Sequence, residues 1–226
     1  MAYCRGNHMD LLPIFGSRMK SLEILSLLQG FKPVVRQGFY ESELKQVEQF
    51  CQDHNLVLVK SNFKVVPLDT STAFLNKGVS TSIEDPRPGF LFVYISKTQL
   101  GAHKAALAEL YKDHVELGKL LGYPECCGRF FAEHEPVRME KDNDFEVPVL
   151  ENSSEVKYSF WMNIFKRSQD ACVLSHFPCS LLCSESLVLA QKYWGLLENN
   201  DKSWADDWKK KLSGSLAIHG RSLVFA

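Results

Sequence analysis

The chain has 226 residues, of which 45% are hydrophobic, 12% aromatic and 23% charged, and its 26 basic and 27 acidic side chains leave a net charge of -1. These proportions exclude collagen-like, low-complexity and disordered classes, and no basic excess points to nucleic acid. No apolar run of about 18 residues predicts a membrane span, and a chain of this length buries about 70% of its unfolded surface without disulfide staples.

Taken in chain order, residues 18–29 read as a helix stopped by Gly30. Residues 31–37 read as extended, with Pro33 marking an edge strand because proline cannot donate to a ladder. Residues 42–54 predict an amphipathic helix capped by Ser42, with Leu44, Val47, Phe50 and Cys51 on one face. Residues 56–60 and 63–67 predict two strands joined by a Ser61-Asn62 turn, followed by a polar stretch over 69–89. Residues 90–95 are the strongest strand signal. A 3-4 spacing through Leu100, His103, Leu107, Leu110, His114, Leu117 and Leu121 predicts one helix over 99–121, ended by Gly122. A shorter helix follows Pro124, 136–157 reads as loop, 158–167 as an aromatic helix, and 178–198 as a long helix. A last amphipathic helix near 202–212 precedes a terminal strand at 216–225. The predicted class is α+β. A small antiparallel or mixed sheet with helices fills 1–97, and a mainly helical, cysteine-bearing domain fills 98–226.

Seven cysteines are the compositional oddity: Cys4, Cys51, Cys126, Cys127, Cys172, Cys179 and Cys183. Residues 1–8 look like a tag or leader, and no signal peptide is evident. A reducing cytoplasm is therefore expected, where clustered cysteines serve metal or redox chemistry more often than disulfides. Two segments stand out, L-G-Y-P-E-C-C-G over 121–128 and H-F-P-C-S-L-L-C over 176–183. Chance placement of seven cysteines gives roughly 0.2 tandem pairs, so the two segments together carry more weight than either alone. Each has a proline ahead of its cysteines, and proline suits the first position of a helix. That reading puts Cys126 and Cys127 in one first turn, and Cys179 and Cys183 on one face of another. Unpaired N–H groups and the helix dipole at such a terminus favour a thiolate.

Four converging cysteine sulfurs suit tetrahedral zinc or an iron–sulfur cluster. A tandem pair splays its side chains, which favours the larger cluster, a 4Fe-4S centre, with zinc as the alternative. His176 could add a fifth ligand or carry a proton, and His114 is the other acid–base candidate. Arg129 could meet an anionic substrate, though a surface charge explains it as well, and Tyr123 could stack on a ligand. The Glu133-His134-Glu135 run is explained by a solvated face. Cys51 reads as core, and Cys172 as either core or a spare thiol. Phosphate loops, dinucleotide fingerprints and His-Glu-x-x-His are absent.

The pattern G-Y-P-x-C-C followed by H-x-P-C-S-x3-C-x-x-S resembles an uncharacterised prokaryotic family of unknown function. Its residues here are Gly122, Tyr123, Pro124, Cys126, Cys127, His176, Pro178, Cys179, Ser180, Cys183 and Ser186. The resemblance spans roughly 100–190 and implies a shared cysteine site without supplying an activity. Three functions follow as expectations. The first is an iron–sulfur protein whose cluster serves redox, sulfur-handling or Lewis-acid chemistry on a small substrate or with a redox partner protein. The second is a structural zinc module. The third is a metal-free thiol enzyme using Cys126 or Cys127.

Overall fold

The computed structural model describes residues 10–68, 78–138 and 144–226. Cys4 and the leader-like start lie outside these residues, as does the first part of the polar stretch at 69–89.

A short helix, α1 (Leu12–Phe15), turns at Gly16, whose φ of 67° is the left-handed conformation glycine adopts without penalty. Helix α2 (Arg18–Leu28) follows, and Ser17 caps it by accepting from the Lys20 N–H at 3.2 Å. A second cap arrives from far along the chain. The Asp170 carboxylate accepts from the Ser17 hydroxyl at 2.6 Å and from the Arg18 and Met19 N–H groups at 2.6 and 3.2 Å. An acidic group at that helix end also complements the dipole.

Strand β1 (Val34–Tyr40) leads directly into α3 (Glu41–Asp53). The expected Ser42 cap is displaced: the helix begins earlier, with Tyr40 at its N-cap, and the Tyr40 N–H donates to Glu43 at 2.8 Å. The buried face is the one read from the spacing, Leu44, Val47, Phe50 and Cys51. Strand β2 (Val57–Pro67) is continuous where two strands and a turn were expected. Its register slips between Lys60 and Lys64, so Ser61-Asn62 forms a bulge instead of a turn. Ser61 stabilises that bulge, donating to the Phe63 carbonyl at 2.5 Å and accepting from the Phe92 N–H at 3.1 Å.

Strand β3 (Gly78–Ser82) falls inside the stretch read as polar loop, and β4 (Phe90–Ser96) is the strongly apolar segment. The sheet is antiparallel in the order β1-β4-β2-β3. Pro33 therefore does precede an edge strand. Val93, Tyr94 and Ile95 of the inner strand β4 are fully buried.

The expected 99–121 helix is two helices, α4 (Gln99–Leu110) and α5 (His114–Leu120). Lys112 breaks them with a φ of 57°, and Asp113 caps α5 by accepting from the Glu116 N–H at 3.0 Å. The leucine stripe faces the core only at its end, where Leu117 and Leu121 are buried, whereas Leu100, Leu107 and Leu110 of α4 are exposed. Ala102, Ala105 and Ala108 are buried instead. Small residues let α4 lie close against Val34 and Tyr94 of the sheet in a second apolar cluster with Leu117 and Leu121.

Gly122 (φ 75°) turns the chain into α6 (Glu125–Arg138), and a Cβ at Gly122 would sit 3.1 Å from Pro33. Helix α7 (Glu146–Glu151) occupies part of the expected loop. The expected aromatic helix at 158–167 is instead a short strand, β5 (Lys157–Tyr158), followed by one 3-10 turn at Phe160–Met162. Helix α8 (Ser184–Asn200) starts at Ser184 rather than near 178, and α9 (Lys202–Leu212) matches its amphipathic pattern. The terminal strand is a hairpin, β6 (Gly214–Ile218) and β7 (Arg221–Phe225), turned by His219 and Gly220 at positive φ. Strand β5 joins β7 in parallel. The main core runs from Leu11 to Phe225 and includes the fully buried Trp208. It is thus shared between the N-terminal helices and the last two helices.

Candidate metal centre

The two cysteine segments meet. Sγ atoms of Cys126 and Cys127 lie 3.8 Å apart, those of Cys126 and Cys183 3.6 Å, and those of Cys127 and Cys183 3.7 Å. Cys179 completes a group of four sulfurs that all lie within 4.8 Å of one another. This set could hold a metal ion.

The first segment behaves as its local sequence dictates. Pro124 accepts the opening backbone bonds of α6 from Cys127 and Gly128, both at 3.0 Å, which leaves both cysteines in the first turn. The second segment does not. Pro178 opens no helix, and Cys179 and Cys183, four residues apart, do not share a helix face. Residues 179–180 bend and 181–182 form a turn, and Cys183 is the N-cap of α8. Long-range partners take two of the segment's backbone donors. Cys179 N–H donates to Cys127 Sγ at 3.2 Å, and Leu181 N–H donates to Ser153 Oγ at 2.9 Å. The turn brings Cys179 over the first segment, which a helical geometry would have carried away.

Hydrogen bonds support the sulfurs. Ser186 N–H donates to Cys183 Sγ at 3.5 Å, and Ser186 Oγ lies 3.1 Å from Cys127 Sγ. His176 Nε2 is 2.9 Å from the same hydroxyl, so His176 reaches Cys127 through Ser186. Cys127 and Cys183 are buried and Cys126 is exposed. The thiols do not all acidify, contrary to the helix-terminus expectation. A hydrogen bond from Cys127 and those from Ser186 pull Cys183 down. Cys127 rises because it serves Cys183 as donor, while burial pushes Cys126 and Cys179 up. Burial and mutual hydrogen bonding thus favour the thiolate at Cys183 and oppose it at the other three sulfurs.

The other candidates are placed as follows. His176 is buried and tilted against the Tyr123 ring at 4.8 Å, and burial together with nearby Lys32 and Arg167 keeps its imidazole neutral. It lies outside the four-sulfur ligand group. His114 meets the edge of Phe131 at 5.5 Å. Arg129 pairs with Glu125 one turn before it on the surface. His134 bonds back to the Phe130 carbonyl at 2.8 Å. Cys51 is core, and Cys172 is buried with its thiol donating to the Leu174 carbonyl at 3.1 Å. Sequence reasoning missed Ser153 and Glu185, whose carboxylate lies 3.8 Å from Cys126 Sγ. Ser186 had a signal in the C-x-x-S spacing.

Near the same region, burial and the Asp144 carboxylate push Glu146 up to about 7, against the pull of Arg167. The unfolded value is 4.5, so the folded chain holds the extra proton between the two values. Stability contributed by this group is therefore lost as pH rises through that window. Glu146→Gln should match the parent at about pH 4.5 and melt about 2–4 °C higher at about pH 8. Thermal melts across that range check it, and parallel curves would refute the buried proton.

The fold and the site define an α+β protein carrying a four-cysteine group able to hold a metal. Residues 103–210 match the family described as a protein of unknown function (DUF483), and all four cysteines lie within the match. The chain thus shows the expected likeness to an uncharacterised family. No curated protein and no solved structure matches it. No helix among the described residues is long and apolar enough to cross a membrane.

Proposed function

We propose that Cys126, Cys127, Cys179 and Cys183 hold one zinc ion in a closed tetrahedral centre that fixes the start of α6 against the start of α8. The sulfur spacing carries this reading. Ligands about 2.3 Å from a tetrahedral ion lie about 3.8 Å from each other, and three sulfur pairs stand at 3.6, 3.7 and 3.8 Å. A 4Fe-4S cluster spreads its cysteine sulfurs to roughly 6–7 Å, so the spacing supports a single ion over the cluster that the sequence favoured. Four cysteine ligands leave no open position for a substrate, which is the mark of a structural centre. Ser186, oriented by His176, serves here as the outer hydrogen-bond support for Cys127. Thiolates kept ready for zinc suit a reducing, cytoplasmic compartment.

Elemental and sulfide analysis of protein purified without oxygen tests this. About one zinc per chain with no acid-labile sulfide is expected. Iron with matching sulfide would establish the cluster instead, and a metal-free protein that takes up neither would leave the thiols to act alone.

A further inference from the structure

A cavity of about 940 Å³ lies between the sheet and the helical half. Exposed Tyr40 and Ser168 stand among its lining residues, so it opens to solvent. The chain as a whole is nearly neutral, with a net charge of -1. The cavity is not. Among the described residues it is lined by seven carboxylates and only three cations, Lys20, Arg36 and Arg167. All seven acidic residues are half-buried rather than sealed, so they keep accessible surface. Charge of one sign in a cleft with poorly polarisable walls concentrates the field there.

The partners of these acids show where negative charge is left over. Arg36 answers Glu109, and Lys32, behind the wall, answers Glu23 at 2.8 Å. Asp170 is committed to the start of α2, and Glu43 accepts from the Tyr40 N–H at 2.8 Å. Lys20 faces both, and its ammonium donates to the Gly38 carbonyl at 2.6 Å. Asp144 accepts from the Glu146 N–H at 2.8 Å and pairs with His219 at 3.1 Å. The Glu146 carboxyl accepts no hydrogen bond among the described residues. Arg167 faces it, but that guanidinium already donates to the carbonyls of Leu174 and His176, both at 2.8 Å. The rise of Glu146 to about 7 is the response of a carboxyl whose anion is under-compensated.

The walls also show which kind of cation they accept. Each of their own three lies on an aromatic ring: Lys20 at 4.0 Å from Phe39, Arg36 at 3.5 Å from Phe92 and Arg167 at 4.6 Å from Phe177. The exposed ring of Tyr40 and the half-buried rings of Phe90 and Phe131 line the same space. A bare metal ion does not suit this pattern. Hard cations need several converging oxygens, whereas those of Glu23, Glu109 and Asp170 already serve Lys32, Arg36 and the α2 terminus. An excess of more than one negative charge, spread among rings, calls for several positive charges separated by apolar segments.

We infer that this cavity binds an organic polycation, an aliphatic chain carrying two or more ammonium groups. The ammonium groups sit against the under-compensated carboxylates, Glu146 and Glu43 foremost, and the methylene segments run over the rings of Phe131, Tyr40 and Phe90. Binding does not require the metal, because no carboxylate of the wall belongs to the sulfur group.

Calorimetric titration of the full chain with putrescine, spermidine and spermine tests it, with butylamine, butanediol and Mg²⁺ for comparison. Saturable binding of at least one polyamine is expected, tighter than that of butylamine, weakening as ionic strength rises, with none of butanediol. Glu146→Gln should weaken it about tenfold, and Phe131→Leu about threefold. Glu198→Gln, exposed on α8 and outside the lining, should change nothing. Metal content and the melting transition, measured on the same samples, confirm that the variants are folded. Absence of saturable binding by every polyamine, or binding unchanged in both folded wall variants, overturns the proposal. So does butylamine binding as tightly as the polyamines, displacement of the polyamine by equimolar Mg²⁺, or an equal loss in Glu198→Gln, which would mark general attraction to surface acids.

Discussion

Cys127→Ser should abolish stoichiometric zinc binding and lower the melting temperature by about 6–12 °C. Cys127 is the best-supported of the four sulfurs, with only 2% of its surface exposed. It accepts from the Cys179 N–H and lies 3.1 Å from the Ser186 hydroxyl. A serine there loses the soft, readily ionised ligand and shortens the reach to the ion. Isolated zinc modules owe about 10–16 kcal/mol to their metal, but this chain has a large apolar core of its own. A loss of about 3 kcal/mol is the reasonable share, and each kcal/mol moves the melting point of a domain this size by about 2–4 °C. Chelation should reproduce the shift in the parent and do nothing further to the variant. Cys126→Ser should cost less stability, because Cys126 is exposed and its loss leaves no buried group unpaired. Elemental analysis with paired melts decides, and a Cys127→Ser protein that melts like the chelator-free parent would remove the structural role.

The part of this centre legible in the sequence is the part whose backbone bonds are local. Pro124 and Glu125 start α6 by themselves, so Cys126 and Cys127 occupy the turn that a one-dimensional reading assigns. Cys179 is different. Its backbone N–H bonds to a sulfur contributed 52 positions away, and the Leu181 N–H to a serine 28 positions away. No local pattern around Pro178 distinguishes that turn from a helix start. The leucines of α4 show the same limit. A 3-4 spacing identifies a helix but not which face meets the sheet, and close approach selected Ala102 and Ala105 over Leu100 and Leu107. Strand β4 was legible because its core is apolar on both faces, an inner-strand signature. A cavity of about 940 Å³, lined in part by residues of β1, α6 and α8, was not legible at all. Gln37, Arg167 and Tyr193 are unremarkable in sequence, and only packing brings them to one wall.

Lys32→Ala should destabilise the fold by about 3–5 kcal/mol while leaving zinc content unchanged. The Lys32 side chain is fully buried, with its ammonium 2.8 Å from Glu23 and 2.9 Å from the Ser175 hydroxyl, and 4.7 Å above the Tyr123 ring. Burial pulls the ammonium down, but Glu23 outweighs it and holds Lys32 above its ordinary pKa, so the pair stays charged. Removing one partner strands the other charge in a poorly solvated site, which typically costs 3–5 kcal/mol. The asymmetry is the test. Lys32→Met combined with Glu23→Gln removes both charges at similar volume and should recover most of the loss, whereas a simple cavity effect would persist in the double variant. Urea unfolding of the two single variants and the double variant closes the cycle. The pair also joins the halves of the molecule, since Ser175 precedes His176 and Glu23 binds Gln37 at 3.3 Å. Loss of Lys32 should therefore disturb the cavity wall before it disturbs the sulfurs, whose supports come from Ser186 and the Cys179 backbone. Zinc lost together with stability in Lys32→Ala would show instead that the cysteine centre depends on this buried pair for its shape.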